Sequence, residues 1–271
     1  MTVRSLTKHH GLGNDFLVLF DDAPETPAPA LAQLAIDVCD RRTGVGADGL
    51  LVATAAPGYA AKMTLFNADG SVAEMSGNGI RCFAQAVAAR RGDLEPQRIL
   101  TDAGDRTVVL TATDDPAVIN AQVEMGEVTP LDEPDGWATL GCHPDRPVAH
   151  LSMGNPHSVV GVDEVAVVDL SDLGAKVPQV NLEIVEPGPE TNAITMRVHE
   201  RGAGITAACG TGACAAALAA RSWGLATPID DEVVVHMDGG TATVALTNDD
   251  APRAILTGPA ALIATIEIDH P

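Results

Sequence analysis

The chain has 271 residues, enough for one or two domains with a sizeable core, and 46 % apolar with 20 % charged residues is a globular composition. Sixteen basic residues against 37 acidic ones leave a formal charge of −21, a field that repels phosphate backbones and anionic membrane surfaces. With aromatics at only 3 %, base stacking has little to work with, so neither nucleic acid nor membrane is expected as a partner.

Cys39, Cys82, Cys142, Cys209 and Cys214 form no CxxC pair and are odd in number, which argues against a zinc site or a complete disulfide set and for a reducing compartment. No run reaches the ~18 apolar residues of a membrane span, and the first residues lack the apolar centre of a signal peptide. A cytoplasmic protein is expected.

In chain order, a Gly-Asn turn at 13–14 precedes the apolar run FLVLF and the Pro-rich loop DDAPETPAPA at 21–30. Leu31, Leu34, Ala35 and Val38 recur at helical spacing within 30–40. GLLVATA (49–55) and AKMTLFN (61–67) read as strands, the second followed by the turn ADGS. Ile80, Phe83, Ala84 and Val87 share one face of a predicted helix over 78–91, with Gly92 as its cap. RTVVLTAT and INAQVEMG, joined by DDPA, read as a hairpin.

The second half repeats this order. A Gly-Asn turn at 154–155 leads to HSVVGV, VNLEIVE (180–186), ITMRVHE (194–200), CGTG and an alanine-rich helix to Trp223, then hairpins around DGG (238–240) and NDDAPR (248–253). The repeated order predicts two pseudo-symmetric, strand-rich domains, each with a central helix, and a cleft between them as the place for a substrate. The boundary is expected in or near 114–126.

GVGADG at 44–49 matches a dinucleotide fingerprint, but a helical pattern precedes it and a strand follows, the reverse of the required context, so no nucleotide site is assigned. More informative are Ser76-Gly77-Asn78-Gly79 and Cys209-Gly210-Thr211-Gly212, each placing a proton-bearing side chain just ahead of a helix. Exposed amides at a helix start attract a carboxylate, so the pattern is an anion cradle built twice. A cysteine at such a terminus can fall to a pKa of about 3.5–7.5, which suits Cys209 as a base. Its loop is read as one that exposes rather than buries. Two acid/base groups across a planar carbanion invert a stereocentre without metal, pyridoxal lysine or nucleotide, and no cofactor or metal is expected.

At these motifs the chain resembles the diaminopimelate epimerase family. The matching blocks are GLGNDF (11–16), DRRTGVGADGLL (40–51), FNADGSVAEMSGNGIRCFA (66–84), MGNPHSVV (153–160), VNLEIVE (180–186), RVHERGAGITAACGTGACAAA (197–217), GG (239–240) and LTGPA (256–260). The resemblance implies an α+β fold of two pseudo-symmetric domains, each a strongly curved, mostly antiparallel sheet around a central helix. One half is expected at 1–116 joined by the segment 259–271, the other at 117–258. By resemblance Cys209 and Ser76 occupy the two catalytic positions, with His157 and Glu200 supporting proton transfer at the two faces. The amides of Gly77, Asn78, Gly210 and Thr211 would cradle the reacting carboxylate. Asn67, Asn155, Asn181, Glu200 and Arg201 would read the distal amino-acid end, and Asn14 would line the site. The implied substrate is diaminopimelate, and a homodimer is usual in the resembled family.

Two departures stand out. The family pattern has cysteine where Ser76 stands, and a hydroxyl ionises nearer the ~15.7 of water than the ~8.5 of a thiol. A helix terminus offsets at most ~2 kcal/mol of that gap, so Ser76 is left to donate a hydrogen bond, to relay a proton through water, or to leave one face nearly inactive. Ile205 replaces the glutamate of a usual Gly-Glu-Thr ahead of the cysteine. The leading reading is an epimerase interconverting LL- and meso-diaminopimelate, weakened by Ser76. The alternatives are a one-base lyase or dehydratase or another amino-acid racemase of this fold, and a non-catalytic amino-acid-binding protein.

Overall fold

The computed structural model describes residues 2–21 and 26–270, so the centre of the Pro-rich loop at 22–25 lies outside the described residues. The chain forms two compact units, Met1–Val123 with Gly258–Pro271, and Glu124–Thr257.

In the first unit, β1 (Thr2–Gly11) and β2 (Asn14–Phe20) form a hairpin. Its turn residues are Leu12 and Gly13, both at positive φ, so the turn sits one residue earlier than the Gly-Asn pair suggested, and Asn14 opens the strand. α1 (Ala28–Cys39) is the crossover to β3 (Gly49–Thr54), which runs parallel to β2; parallel neighbours need such a connection. β4 (Ala61–Asn67) returns antiparallel, with β5 (Val72–Ala73) paired to it. α2 (Gly77–Arg91) then crosses to β6 (Gln97–Thr101), parallel to β4, and β7 (Gly104–Ala112) and β8 (Val118–Glu127) follow antiparallel.

The second unit repeats this pattern of pairings. After β9 (Thr129–Pro130), β10 (Val148–Ser152) and β11 (Pro156–Gly161) are antiparallel, and α3 (Leu170–Lys176) crosses to the parallel β12 (Asn181–Pro187). β13 (Ala193–Glu200) returns antiparallel with β14 (Gly204–Thr206) paired to it, and α4 (Gly210–Trp223) crosses to β15 (Glu232–Met237), parallel to β13. β16 (Gly240–Leu246) and β17 (Arg253–His270) close the series antiparallel. Each sheet curls back on itself. In the first unit the end of β17 pairs with β1, and Leu262 donates its amide to the Ala117 carbonyl beside β8 at 2.8 Å. In the second, Val128 donates to the Pro252 carbonyl at 2.9 Å.

Both central helices are buried on nearly every side, α2 from Gly77 to Ala88 and α4 from Ala213 to Ala220 except Leu218. A helix enclosed this way has no need of a polar stripe facing solvent, and its alanines and glycines let the strands wrap it closely. Gly92 and Gly224 end the two helices at φ 78° and 72°, the left-handed conformation in which their amides recover the last carbonyls. The fold is thus α+β, with two like units each built as a mostly antiparallel curved sheet around one helix. No helix among the described residues is long and apolar enough to cross a membrane.

β1, β6, β10 and α3 have no counterpart in the sequence reading. β1 hides its alternation behind a polar run in which Leu6 and His9 are among the few fully buried side chains. α3 is only two turns long and buries just Leu170 and Gly174.

Candidate active site

Parallel pairing of the second strand with the third, and antiparallel return of the fourth, bring three strand ends to one edge of each unit, beside the start of the central helix. In the first unit these ends carry Asn14, Gly49 and Asn67; in the second, Asn155, Asn181 and Glu200. The sequence-derived residues therefore gather into one cluster per unit.

In the first cluster Ser76 caps α2 from an extended conformation (φ −135°, ψ 127°), its Oγ accepting the Gly79 amide at 3.0 Å. The amides of Gly77 and Asn78 precede that bond, in the turn where a helix has no backbone acceptors of its own. Asn78 is buried and donates Nδ2 to Asn14 Oδ1 at 3.2 Å, while Asn14 donates to Asp48 Oδ2 at 2.6 Å. Beneath this turn lies the fully buried Arg81, which donates to the Gly77 carbonyl at 3.1 Å, Asn78 Oδ1 at 2.7 Å and the Pro259 carbonyl at 3.4 Å. Asn67 donates to Ser71 Oγ at 2.9 Å.

The second cluster has the same skeleton. Cys209 caps α4 at φ −126°, ψ 115°, and its Sγ accepts the Gly212 amide at 3.3 Å; Gly210 and Thr211 supply the preceding amides. Asn155 donates to Thr211 Oγ1 at 3.4 Å, and Thr211 lies 3.5 Å from the sulfur. Asn181 donates to the Pro156 carbonyl at 3.1 Å and accepts the Arg201 amide at 2.8 Å. Glu200 accepts the Thr206 hydroxyl, whereas the Arg201 side chain points to solvent. Ile205 is exposed, opposite His199 in the β13–β14 pair.

One expectation is overturned. Cys209 is only 4 % exposed, and its loop buries it. Burial, followed by the nearby Glu200 and Glu183 carboxylates, pushes the thiol well above its usual range; donation from Thr211 and Gly212 does not offset this. The helix terminus is present as expected, but the loss of water and two neighbouring acidic groups outweigh its dipole.

Glu183, absent from the sequence-derived set, is completely buried and lies 2.6 Å from His157 Nδ1, and neither side chain reaches solvent. Its visible signal was a carboxylate in the middle of the apolar run VNLEIVE. Burial pushes its carboxyl upward, with His157 opposing. Gly212 is required here, because a Cβ on it would stand 2.6 Å from Glu183 Oε1 and 3.2 Å from Cys209 Sγ. GVGADG lies between α1 and β3, the reversed context already noted. Among the described residues no group of three or more His, Cys, Asp or Glu is placed to hold a metal ion. A groove of about 910 Å³ along β1 and the later turns of α2 is lined by none of the candidate residues.

The architecture defines a class first. A phenazine biosynthesis protein of the PhzF family from Bacillus anthracis superposes over 100 % of both chains with a TM-score of 0.79 at 14 % identity, a likeness of fold. The sequence then narrows it. The family model described as diaminopimelate epimerase matches residues 6–131 and 149–263. The diaminopimelate epimerase of Synechococcus elongatus is 38 % identical over 93 % of this chain and 94 % of its own, and that of Geobacillus kaustophilus 36 % over 96 % and 95 %. The chain belongs to the diaminopimelate epimerase family.

Proposed function

We propose that the protein is a cofactor-independent isomerase that interconverts LL- and meso-diaminopimelate, and that it works in the cytoplasm as a homodimer. The observation that carries this reading is the repeated cap: Ser76 Oγ on the Gly79 amide and Cys209 Sγ on the Gly212 amide, at matching conformations on matching helices. Family membership with relatives named for that activity supports it.

On this reading the two caps act on opposite faces of one α-carbon. The Gly77, Asn78, Gly210 and Thr211 amides bind the adjacent carboxylate and stabilise the negative charge that develops on it when the α-proton leaves. Preorganised donors of this kind cost no reorganisation during reaction, which matters in a chain whose net charge repels an acidic ligand. Cys209 exchanges the proton on its face, and His157 and Glu200 support proton transfer at the two faces. Asn67, Asn155, Asn181, Glu200 and Arg201 receive the distal ammonium and carboxylate, and Asn14 lines the site. Ser76 fills a thiol's place with a hydroxyl that ionises far less readily, so turnover is slow at that face.

Incubation with LL-diaminopimelate in heavy water tests this. The expected result is deuterium at the α-carbon of newly formed meso product. Exchange with retention would mean that one face alone works, as in a one-base enzyme, and binding without any exchange would contradict the reading.

A further inference from the structure

The pairing registers place the two units in correspondence residue by residue. Phe16 opposite Gly49 in the β2–β3 pair matches His157 opposite Asn181 in the β11–β12 pair. Two residues further along the second strand, Leu51 matches Glu183. The close approaches to the helix starts agree: Leu51 Cδ2 is 3.4 Å from a Cβ built on Gly79, where Glu183 Oε1 stands at 2.6 Å from one built on Gly212. One fold position thus holds an apolar Phe16 and Leu51 in the first unit and a sealed imidazole–carboxyl pair in the second. The architecture is satisfied by the apolar version, and sealing an ionisable pair away from water is costly against an apolar alternative. The charged version therefore points to a task beyond folding.

Its hydrogen bonds run in one direction. Glu183 occupies His157 Nδ1 at 2.6 Å. A carboxylate accepting from Nδ1–H would leave a neutral ring bare at Nε2, whereas a carboxyl that donates to Nδ1, the form burial favours, leaves the ring's own hydrogen on Nε2. That Nε2 faces Asn155 Oδ1 at 3.1 Å. Asn155 Nδ2 donates onward to Thr211 Oγ1 at 3.4 Å, which leaves the Thr211 hydrogen for Cys209 Sγ at 3.5 Å. An amide in the middle does not pass protons, but it does pass polarity, because each donor sharpens the next.

We infer that Glu183 is a positioning residue for proton transfer at Cys209: by donating to Nδ1 of His157 it holds the ring with Nε2–H toward Asn155, and so aims a chain of donors through Asn155 and Thr211 at the sulfur. This rests on the functional reading above and extends it to a residue that touches no substrate. The chain favours the thiolate that must form when Cys209 gives up its proton. The titratable groups around the sulfur are Glu183 from β12, Glu200 from β13 and, behind Glu183, His157 from β11.

The test uses Glu183→Leu, which installs the residue found at the matching place in the first unit, and the pair His157→Phe with Glu183→Leu, which copies both. Circular dichroism should show both folded. In Glu183→Leu, kcat for solvent-deuterium exchange should fall by about 10- to 100-fold, the range for lost outer-shell partners, with KM within about twofold. ¹⁵N spectra of labelled histidine should show His157 with its hydrogen on Nε2 and a hydrogen-bonded Nδ1 in the wild type, and the Nδ1 signal should move in Glu183→Leu as that bond is lost. A folded Glu183→Leu protein with unchanged kcat, or a wild-type Nε2 without its proton, overturns the inference. If the wild type catalyses no exchange, the functional reading fails, and the ¹⁵N comparison still decides whether Glu183 sets the ring.

Discussion

The starts of α2 and α4 are built alike and charged oppositely. Behind Ser76 lies a buried guanidinium, Arg81, at the position that Cys214 fills in α4. Around Cys209 stand carboxyl groups, Glu183 and Glu200, where the first unit has Leu51 and Asn67. A fixed positive charge strengthens a site for a carboxylate, while nearby anions hold a thiol protonated. On the proposed function, the first unit is specialised to grip the reacting carboxylate and the second to hold and release the proton. One fold position can be tuned to either task by a few buried residues.

The largest effect is expected where the comparison is most direct. Cys209→Ser leaves a hydroxyl at both caps and should reduce α-deuterium exchange by at least ~10³-fold, close to the loss of general acid–base catalysis itself; exchange persisting near the wild-type rate would move the base elsewhere. Ser76→Cys makes the caps identical and should raise inversion by about 10²-fold, measured as meso product formed from the LL substrate. An unchanged or lower rate would show that Ser76 does not stand in a thiol's place.

Replacing the guanidinium probes the charge difference. Arg81→Met should cost about 3 kcal/mol in urea unfolding, because it removes the guanidinium that donates to the Gly77 and Pro259 carbonyls and to Asn78 Oδ1. Cys214→Ala, at the matching position, should cost less; equal costs would mean that the guanidinium is packing rather than polar support.

The smallest effect concerns acid stability. Burial opposes charge on Asp15, but hydrogen bonds from Arg41 and Lys8 outweigh it and hold the carboxyl below its usual value. Its stabilisation is therefore present above a pH of about 4 and lost as pH falls through the lower folded value. Glu183, pushed upward, has the opposite sign: its contribution is present at low pH and lost as pH rises. Asp15→Asn should flatten the decline of the urea midpoint on acidification and Glu183→Gln should steepen it. Two variants changing the slope in the same direction would contradict these signs.

Much of this was legible in the sequence because it is written locally. A glycine cap after an alanine-rich face marks α2 and α4, and a Ser or Cys before Gly-x-Gly marks their capped starts. The Glu183–His157 pair is different in kind. Its members are 26 residues apart and meet only because β11 and β12 run parallel in one register. Cys209 is buried too, so the local N-cap signal pointed to a low pKa that burial and two acidic neighbours distant in sequence reverse. β10 and α3 escaped because neither carries a periodic apolar face long enough to stand out.

The claim that the two caps serve one carbon from opposite sides is tested most directly by the stereochemistry of deuterium uptake. With LL-diaminopimelate in heavy water and Ser76→Cys protein, the account predicts that deuterium entering in the first turnover lies at the inverted α-carbon of the meso product. Deuterium accumulating in unreacted LL substrate, with no meso product formed, would contradict it.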